Sequence, residues 1–292
     1  MAIQLDGLTF KLCQFALDQS FRCDATGPGT AQIFMLRGCR INKDGSLSVY
    51  GDPLVYTDHY DDVMVVIGQK DGGQWFSAPY QASSKPGRAW IEHWSYRGKD
   101  RGCPTVQPGQ YAYKRGWHRG HQALRQAGPV CAIRDLNQNA KLELSDRVDY
   151  PFGTGINIHA GGRSSYVGYN SSGCQVIRQG WTGAAWRGFR HIIYNVAAEQ
   201  DIFHYVVADF AEFGRWHDAE DRTKHRFLRF GSYGERVEEL QRALAVRGYY
   251  GAALIDGEFG RVTDEGLRVW QTAHGVLPTG CVKLSEVERL TA

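Results

Sequence analysis

The chain has 292 residues, 42% hydrophobic and 22% charged, enough for one large globular domain and a small one. A net charge of +3 with no Lys/Arg run excludes a nucleic-acid-binding stripe. No stretch approaches the roughly 18 apolar residues of a membrane span, and the opening MAIQLDGLTFKLCQF lacks the basic start and apolar core of a secretory leader.

In chain order, the first part reads as short strands separated by Gly, Pro, Asn and Asp turns. Strands are expected at 31–37 and 63–68. The turn Asp71-Gly72-Gly73 leads into another at 74–78. Further strands are expected at 110–114, 130–134, 155–159, 175–178 and 202–207. Between the last two, 186–200 carries apolar residues at helical spacing. The polar stretch 216–226 is the expected boundary, giving domains 1–225 and 226–292.

Beyond it the rhythm is helical. Ser232-Tyr233-Gly234-Glu235 reads as a capping box before the apolar face Val237, Leu240, Leu244 and Val246, and Gly248 ends that helix. Thr263 is expected to cap a helix carrying Leu267 and Trp270. Ser285-Glu286-Val287-Glu288 is expected to open a last one ending near Leu290.

Seven cysteines, an odd number, leave at least one thiol unpaired, and no C-x-x-C spacing supports zinc or thioredoxin chemistry. Cys174 stands out. The segment Gly155-Ile156-Asn157-Ile158-His159-Ala160-Gly161-Gly162 brings a histidine to the end of a strand. Ser171-Ser172-Gly173-Cys174-Gln175-Val176 follows. A thiol is a poor nucleophile and a thiolate a strong one, so an imidazole able to take the proton is the required partner. Glycine beside the sulfur lets a substrate backbone approach and frees N–H groups for an oxyanion. Asp135-x-Asn137-x-Asn139 has Ala140 where a calcium loop needs glycine, and reads as a polar turn. His118-x-x-His121 has no convincing third ligand and reads as a cleft or surface pair.

The His159 to Cys174 run resembles the active-site signature of the L,D-transpeptidase (YkuD-like) family, and Ala82-Ser83-Ser84-Lys85-Pro86-Gly87 and Pro104-Thr105-Val106-Gln107-Pro108-Gly109-Gln110-Tyr111 resemble two turns of that fold upstream of the catalytic strand. Ser172 stands where the family has histidine, and Gln175-Val176 follow the cysteine where Arg or Asn is usual, which leaves transfer and hydrolysis both open. The segments FGSYGERVEELQRALAVRGYY and IDGEFGRVTDEGLRVWQTAHGVLPTG resemble the three-helix peptidoglycan-binding domain.

These resemblances imply a mainly β catalytic domain, sandwich or barrel-like with a few helices, joined to a small all-α three-helix domain. Cys174 would be the nucleophile and His159 the base, with Gly173 and Ser172 completing the site around an oxyanion hole. Gln175, Arg178 and Arg163 would meet substrate, and Tyr249 and Tyr250 would meet glycan or stem peptide in the wall. No metal or organic cofactor is implied. Peptidoglycan is the implied partner. Made in the cytoplasm, the protein would reach the periplasm or wall without a Sec leader, as a phage lysin or as an injected effector with an immunity partner. The rival of another class is a non-catalytic wall-binding or phage structural protein.

Overall fold

The structure is a computed structural model describing residues 2–5, 7–92, 102–143, 146–153 and 155–291. After β1 (Ala2–Ile3) comes α1 (Leu8–Asp18), then β2 (Thr30–Arg37), β3 (Cys39–Ile41), β4 (Leu47–Val49), β5 (Asp62–Gln69) and β6 (Trp75–Ser83). A short α2 (Arg88–Glu92) precedes β7 (Cys103–Val106), β8 (Gly109–His118), β9 (His121–Gln126), β10 (Ala132–Asp135) and β11 (Arg147–Asp149). Then come β12 (Ile158–Ala160), β13 (Gln175–Ile177), α3 (Ala184–His191), β14 (Ile202–Asp209) and α4 (Phe210–Asp218).

Eight of these strands close a barrel in the order β12-β13-β6-β5-β2-β14-β8-β9. The ring is complete because β12 also pairs with β9. Two neighbouring pairs are parallel, β12 with β13 and β14 with β2. The expectation of a sandwich or barrel thus resolves to a closed barrel.

The runs in β2 and β5 are apolar without interruption because both faces are buried. Ile33, Met35, Met64 and Val66 point into the barrel. Phe34, Leu36, Val63, Val65 and Ile67 point outward beneath α1 and α4, against Leu12, Phe15, Phe213 and Trp216. Each such large side chain contributes about 1.5–3 kcal/mol by leaving water. Trp216, placed by sequence in the boundary, is fully buried in this outer core. Helix α4 therefore packs as part of the barrel.

The β8–β9 hairpin turns on Arg119 (φ 49°) and Gly120 (φ 79°), the left-handed pair of a two-residue type I′ turn. It sets His118 directly opposite His121. The helix expected at 186–200 is α3, which loosens into a π turn over Ile192–Val196. Arg115 Nη1 donates to Ile193 O (3.1 Å) and Ala197 O (2.9 Å), satisfying carbonyls at that end.

The C-terminal module consists of β15 (Phe227–Leu228), α5 (Glu235–Val246), α6 (Arg261–Ala273), β16 (Val282–Lys283) and α7 (Leu284–Thr291), with β15 and β16 paired antiparallel. Gly248, at φ 80°, follows the end of α5 as expected. The capping box does not form. Gly234 is the N-cap of α5, and Ser232 Oγ donates instead to Gln19 O (2.9 Å) in the barrel domain. Thr263 is not a cap either, for it lies inside the first turn of α6, where its hydroxyl donates to Glu258 O (3.3 Å). Glu288, the far end of the last expected capping box, has its side chain outside the described residues.

Barrel interior and module share one core. Leu228, Phe230, Leu240 and Leu267 belong to the same buried cluster as Tyr111, Tyr113 and Val207. Phe230 stacks on Tyr111 (5.5 Å between centroids). Gly231 (φ 89°) passes so close to the barrel that a Cβ there would lie 2.2 Å from Gln110 O, a contact only glycine permits.

Candidate active site

In β12 and β13, Ile158 pairs with Gln175, His159 with Val176 and Ala160 with Ile177. Ile158, Ala160 and Ile177 belong to the barrel core. Side chains alternate along a strand, so His159, Val176 and Cys174 point to the outer face of the same parallel pair. Cys174 and Val176 pack there against Tyr60 and Val167. The barrel thus brings the two expected catalytic residues to one face, two residues apart in register.

The loop before the cysteine is fixed by Ser171. Its hydroxyl donates to Cys174 O (2.7 Å) and accepts from Gly173 N (3.0 Å). Gly173 has φ 136°, and a Cβ there would lie 2.6 Å from Pro104 Cγ. The two turns singled out by sequence support this loop: Pro104 packs on Gly173, and Gly87 N donates to Ser171 O (2.9 Å). Next to Gly87, Lys85 is buried in an ion pair with Asp61 (2.7 Å), whose carboxyl burial pushes up to about 6.

Three expectations are corrected. Gly173 N–H is already held by Ser171 Oγ, so it is not a free oxyanion donor in this state. Ser171, rather than Ser172, engages the cysteine backbone. Gln175 is fully buried, its amide donating to Gly173 O (3.1 Å) and accepting from the Tyr205 hydroxyl (2.7 Å), so it braces the loop from inside the barrel and does not face substrate.

The sulfur is a resting thiol. Cys174 Sγ donates to Gly155 O at 3.1 Å. His159 Nδ1 lies 2.8 Å from Ala160 O, and a carbonyl only accepts, so Nδ1 carries the proton and Nε2 the lone pair. Burial, then the neighbouring His118, lower the His159 pKa to about 3, with Arg119 adding to the effect. A thiol and a neutral imidazole are the forms that these two bonds and the lowered pKa favour.

Sequence reasoning missed the groups around His159. Its ring stacks on His118 (4.1 Å, 9°) and on Trp181 (5.7 Å, 15°), and Trp181 stacks on His121 (4.2 Å). Asn157 Nδ2 lies 2.9 Å from His118 Nδ1 and fixes that ring. Asn157 Oδ1 is buried without a partner on the same outer face. The alternation Ile156-Asn157-Ile158-His159, with both isoleucines in the core, was the available signal. Arg163 and Arg178 do come together, lining one pocket of about 320 Å³ with Gln81, Gln179 and Ala185. The oxygens of the calcium-like turn accept from its own backbone: Asp135 Oδ2 from Ala140 N (3.1 Å) and Asn137 Oδ1 from Asn139 N (3.0 Å).

Residues 233–282 match the family profile of the peptidoglycan binding domain. The chain carries a peptidoglycan-binding domain. No curated protein and no solved structure matches the chain. Within the peptidoglycan-binding domain, Gln241 is the buried hub, donating to Asp256 Oδ1 (2.8 Å) and accepting from Asp256 N (3.1 Å) and Gly257 N (3.0 Å). Tyr249 and Tyr250 are half-buried, not exposed. The Tyr250 hydroxyl donates to Leu254 O (2.8 Å), and its ring lines a pocket of about 360 Å³ with Asp256 and Arg261. Tyr249 packs edge-on against His274 and does not line that pocket. The peptidoglycan-binding domain makes the wall polymer this chain's partner. Among the described residues no helix is long and apolar enough to cross a membrane.

Proposed function

We propose that the chain is an L,D-transpeptidase-like cysteine enzyme that acts on peptidoglycan stem peptides, as a transpeptidase, a carboxypeptidase or both. The observation that carries the reading is the shared outer face of β12 and β13, which holds His159 and Cys174 two residues apart in register. Nε2 of His159 takes the thiol proton as Sγ attacks the carbonyl of the third stem residue. The C–N bond to D-alanine breaks, the amine leaves with that proton, and a thioester remains on Cys174. An amine of a second stem then forms a crosslink, or water gives a shortened stem, and the thiol is restored. Burial and His118 lower the pKa of the imidazole, which leaves its Nε2 lone pair available to take the thiol proton.

A non-catalytic wall binder is the second reading, favoured by the burial of Cys174 and the bond from its sulfur to Gly155 O. Incubation with purified tetrapeptide muropeptides, read by mass spectrometry, separates the two. Loss of D-alanine or a new dimer, abolished by Cys174→Ala while wall binding persists, supports the enzyme. No product from the wild-type chain sinks it.

A further inference from the structure

We infer that Arg163 and Arg178 form a carboxylate-binding subsite for peptidoglycan, separate from the Cys174 face; this rests on the wall-partner part of the reading above. The ladder between β12 and β13 runs on past the strands, with Gly161 N donating to Ile177 O (2.6 Å) and Gln179 N to Gly162 O (2.9 Å). Past the strands the pairing slips by one residue, from Gly161 to Gly162; Arg178 N then donates to Gln81 O (2.9 Å), and Arg163 follows in a bend. Four residues separate His159 from Arg163 and Cys174 from Arg178, so both arginines lie beyond the ends of β12 and β13.

The two ends are separate. Tyr60 lies over Gly161, where a Cβ would be 2.5 Å from its hydroxyl, and that hydroxyl accepts from Gly162 N (2.7 Å). With Val167 it seals the middle of the face. Beyond this seal the two guanidinium groups line a pocket of about 320 Å³ that no carboxylate lines. Neither arginine forms an ion pair among the described residues. Each is aimed by one bond to the protein: Arg178 Nε donates to Ser164 O (3.0 Å) and Arg163 Nη2 to Thr182 Oγ1 (2.6 Å).

Gly180, at φ 76°, leaves room for the Arg163 stem, since a Cβ there would approach Arg163 Cγ to 3.3 Å. Gln81 is committed elsewhere, donating to Tyr60 O (2.7 Å) and Asp62 O (2.9 Å). The remaining guanidinium donors are the pocket's recognition groups. Two cations held close without a counter-charge repel, and an anion between them removes that penalty. Planar guanidinium forks match the planar carboxylate in two-point pairing, and stem peptides carry free carboxylates.

The test is co-sedimentation of the full chain carrying Cys174→Ala, so that turnover does not consume ligand, with purified sacculi stripped of phosphate polymers. Adding Arg163→Gln and Arg178→Gln together is expected to weaken binding roughly tenfold, the loss of about one charge-assisted pairing. The difference is expected to vanish on sacculi whose carboxyl groups have been amidated. Equal binding by the double variant on stripped sacculi overturns the subsite. So does a difference seen only when phosphate polymers are present. A parent chain that sediments with no sacculi overturns the wall reading and this inference together. Unchanged thermal unfolding confirms that the variant is folded, and the two single variants replace it otherwise.

Discussion

The imidazole rings of His118 and His159 lie face to face, with centroids 4.1 Å apart and planes 9° from parallel. Two stacked imidazoles cannot both accept protons cheaply, and His118 is the second cause, after burial, of the depressed His159 pKa. Replacing His118 by Phe keeps a stacking ring and removes the charge. The His159 pKa is expected to rise above about 3 in an NMR titration of its ring. A value that stays put assigns the effect to burial and Arg119.

The same depression gives a stability signature. The unfolded chain protonates His159 near pH 6.5 and the folded chain only near 3, so between those values the unfolded state holds more protons. The His159 contribution is complete above pH 6.5 and is lost as pH falls toward 3, at a rate of up to about 1.4 kcal/mol per pH unit. Urea unfolding of wild type and His159→Gln at pH 7, 5 and 4 should show the gap narrowing in acid. Catalysis should likewise show no acid limb from His159 between pH 5 and 7.

Gly173→Ala is expected to remove turnover and to cost about 1–3 kcal/mol, because φ 136° is costly for alanine and the new methyl would meet Pro104. Urea midpoints and the muropeptide assay measure the two effects. An active, unshifted variant would mean that the loop before Cys174 is not held as described.

Gln175→Leu should destabilise by about 1–3 kcal/mol, since it strands the Tyr205 hydroxyl inside the barrel. Adding Tyr205→Phe should recover part of the loss. A double-mutant cycle with no coupling contradicts the interior bond.

Much of the barrel was legible because its strands carry their signal locally. The expected strand 31–37 is β2 within one residue, and 63–68 lies inside β5. The closure was not legible, because pairing β12 parallel to β13 depends on where the intervening loop returns. Helix α1 has Leu8, Leu12, Phe15 and Ala16 at helical spacing, yet it starts from Gly7 at φ 66° with no side-chain cap to mark it. His159 and Cys174 were found because glycines and serines flank them. The link from His118 to the site is not legible in sequence, since its partner Asn157 is 39 residues away and only the hairpin and β12 together bring them into contact.

A fifth expectation concerns the seam between barrel and module. Tyr150 donates to the buried Asp264 (2.6 Å), whose pKa burial raises. Tyr150→Phe should cost about 1–3 kcal/mol by leaving that carboxylate short of a donor. Calorimetry of the wild-type chain should give one unfolding transition, and two resolved transitions would contradict a shared core.

That seam has a consequence for work on a polymer. An anchor on a slack tether lets an enzyme roam over every neighbouring strand within reach. Here Gly231 is pressed against Gln110 and Phe230 against Tyr111, so the anchor is a fixed projection of the barrel. Wherever the module grips, the outer face of β12 and β13 arrives at one set offset from that grip.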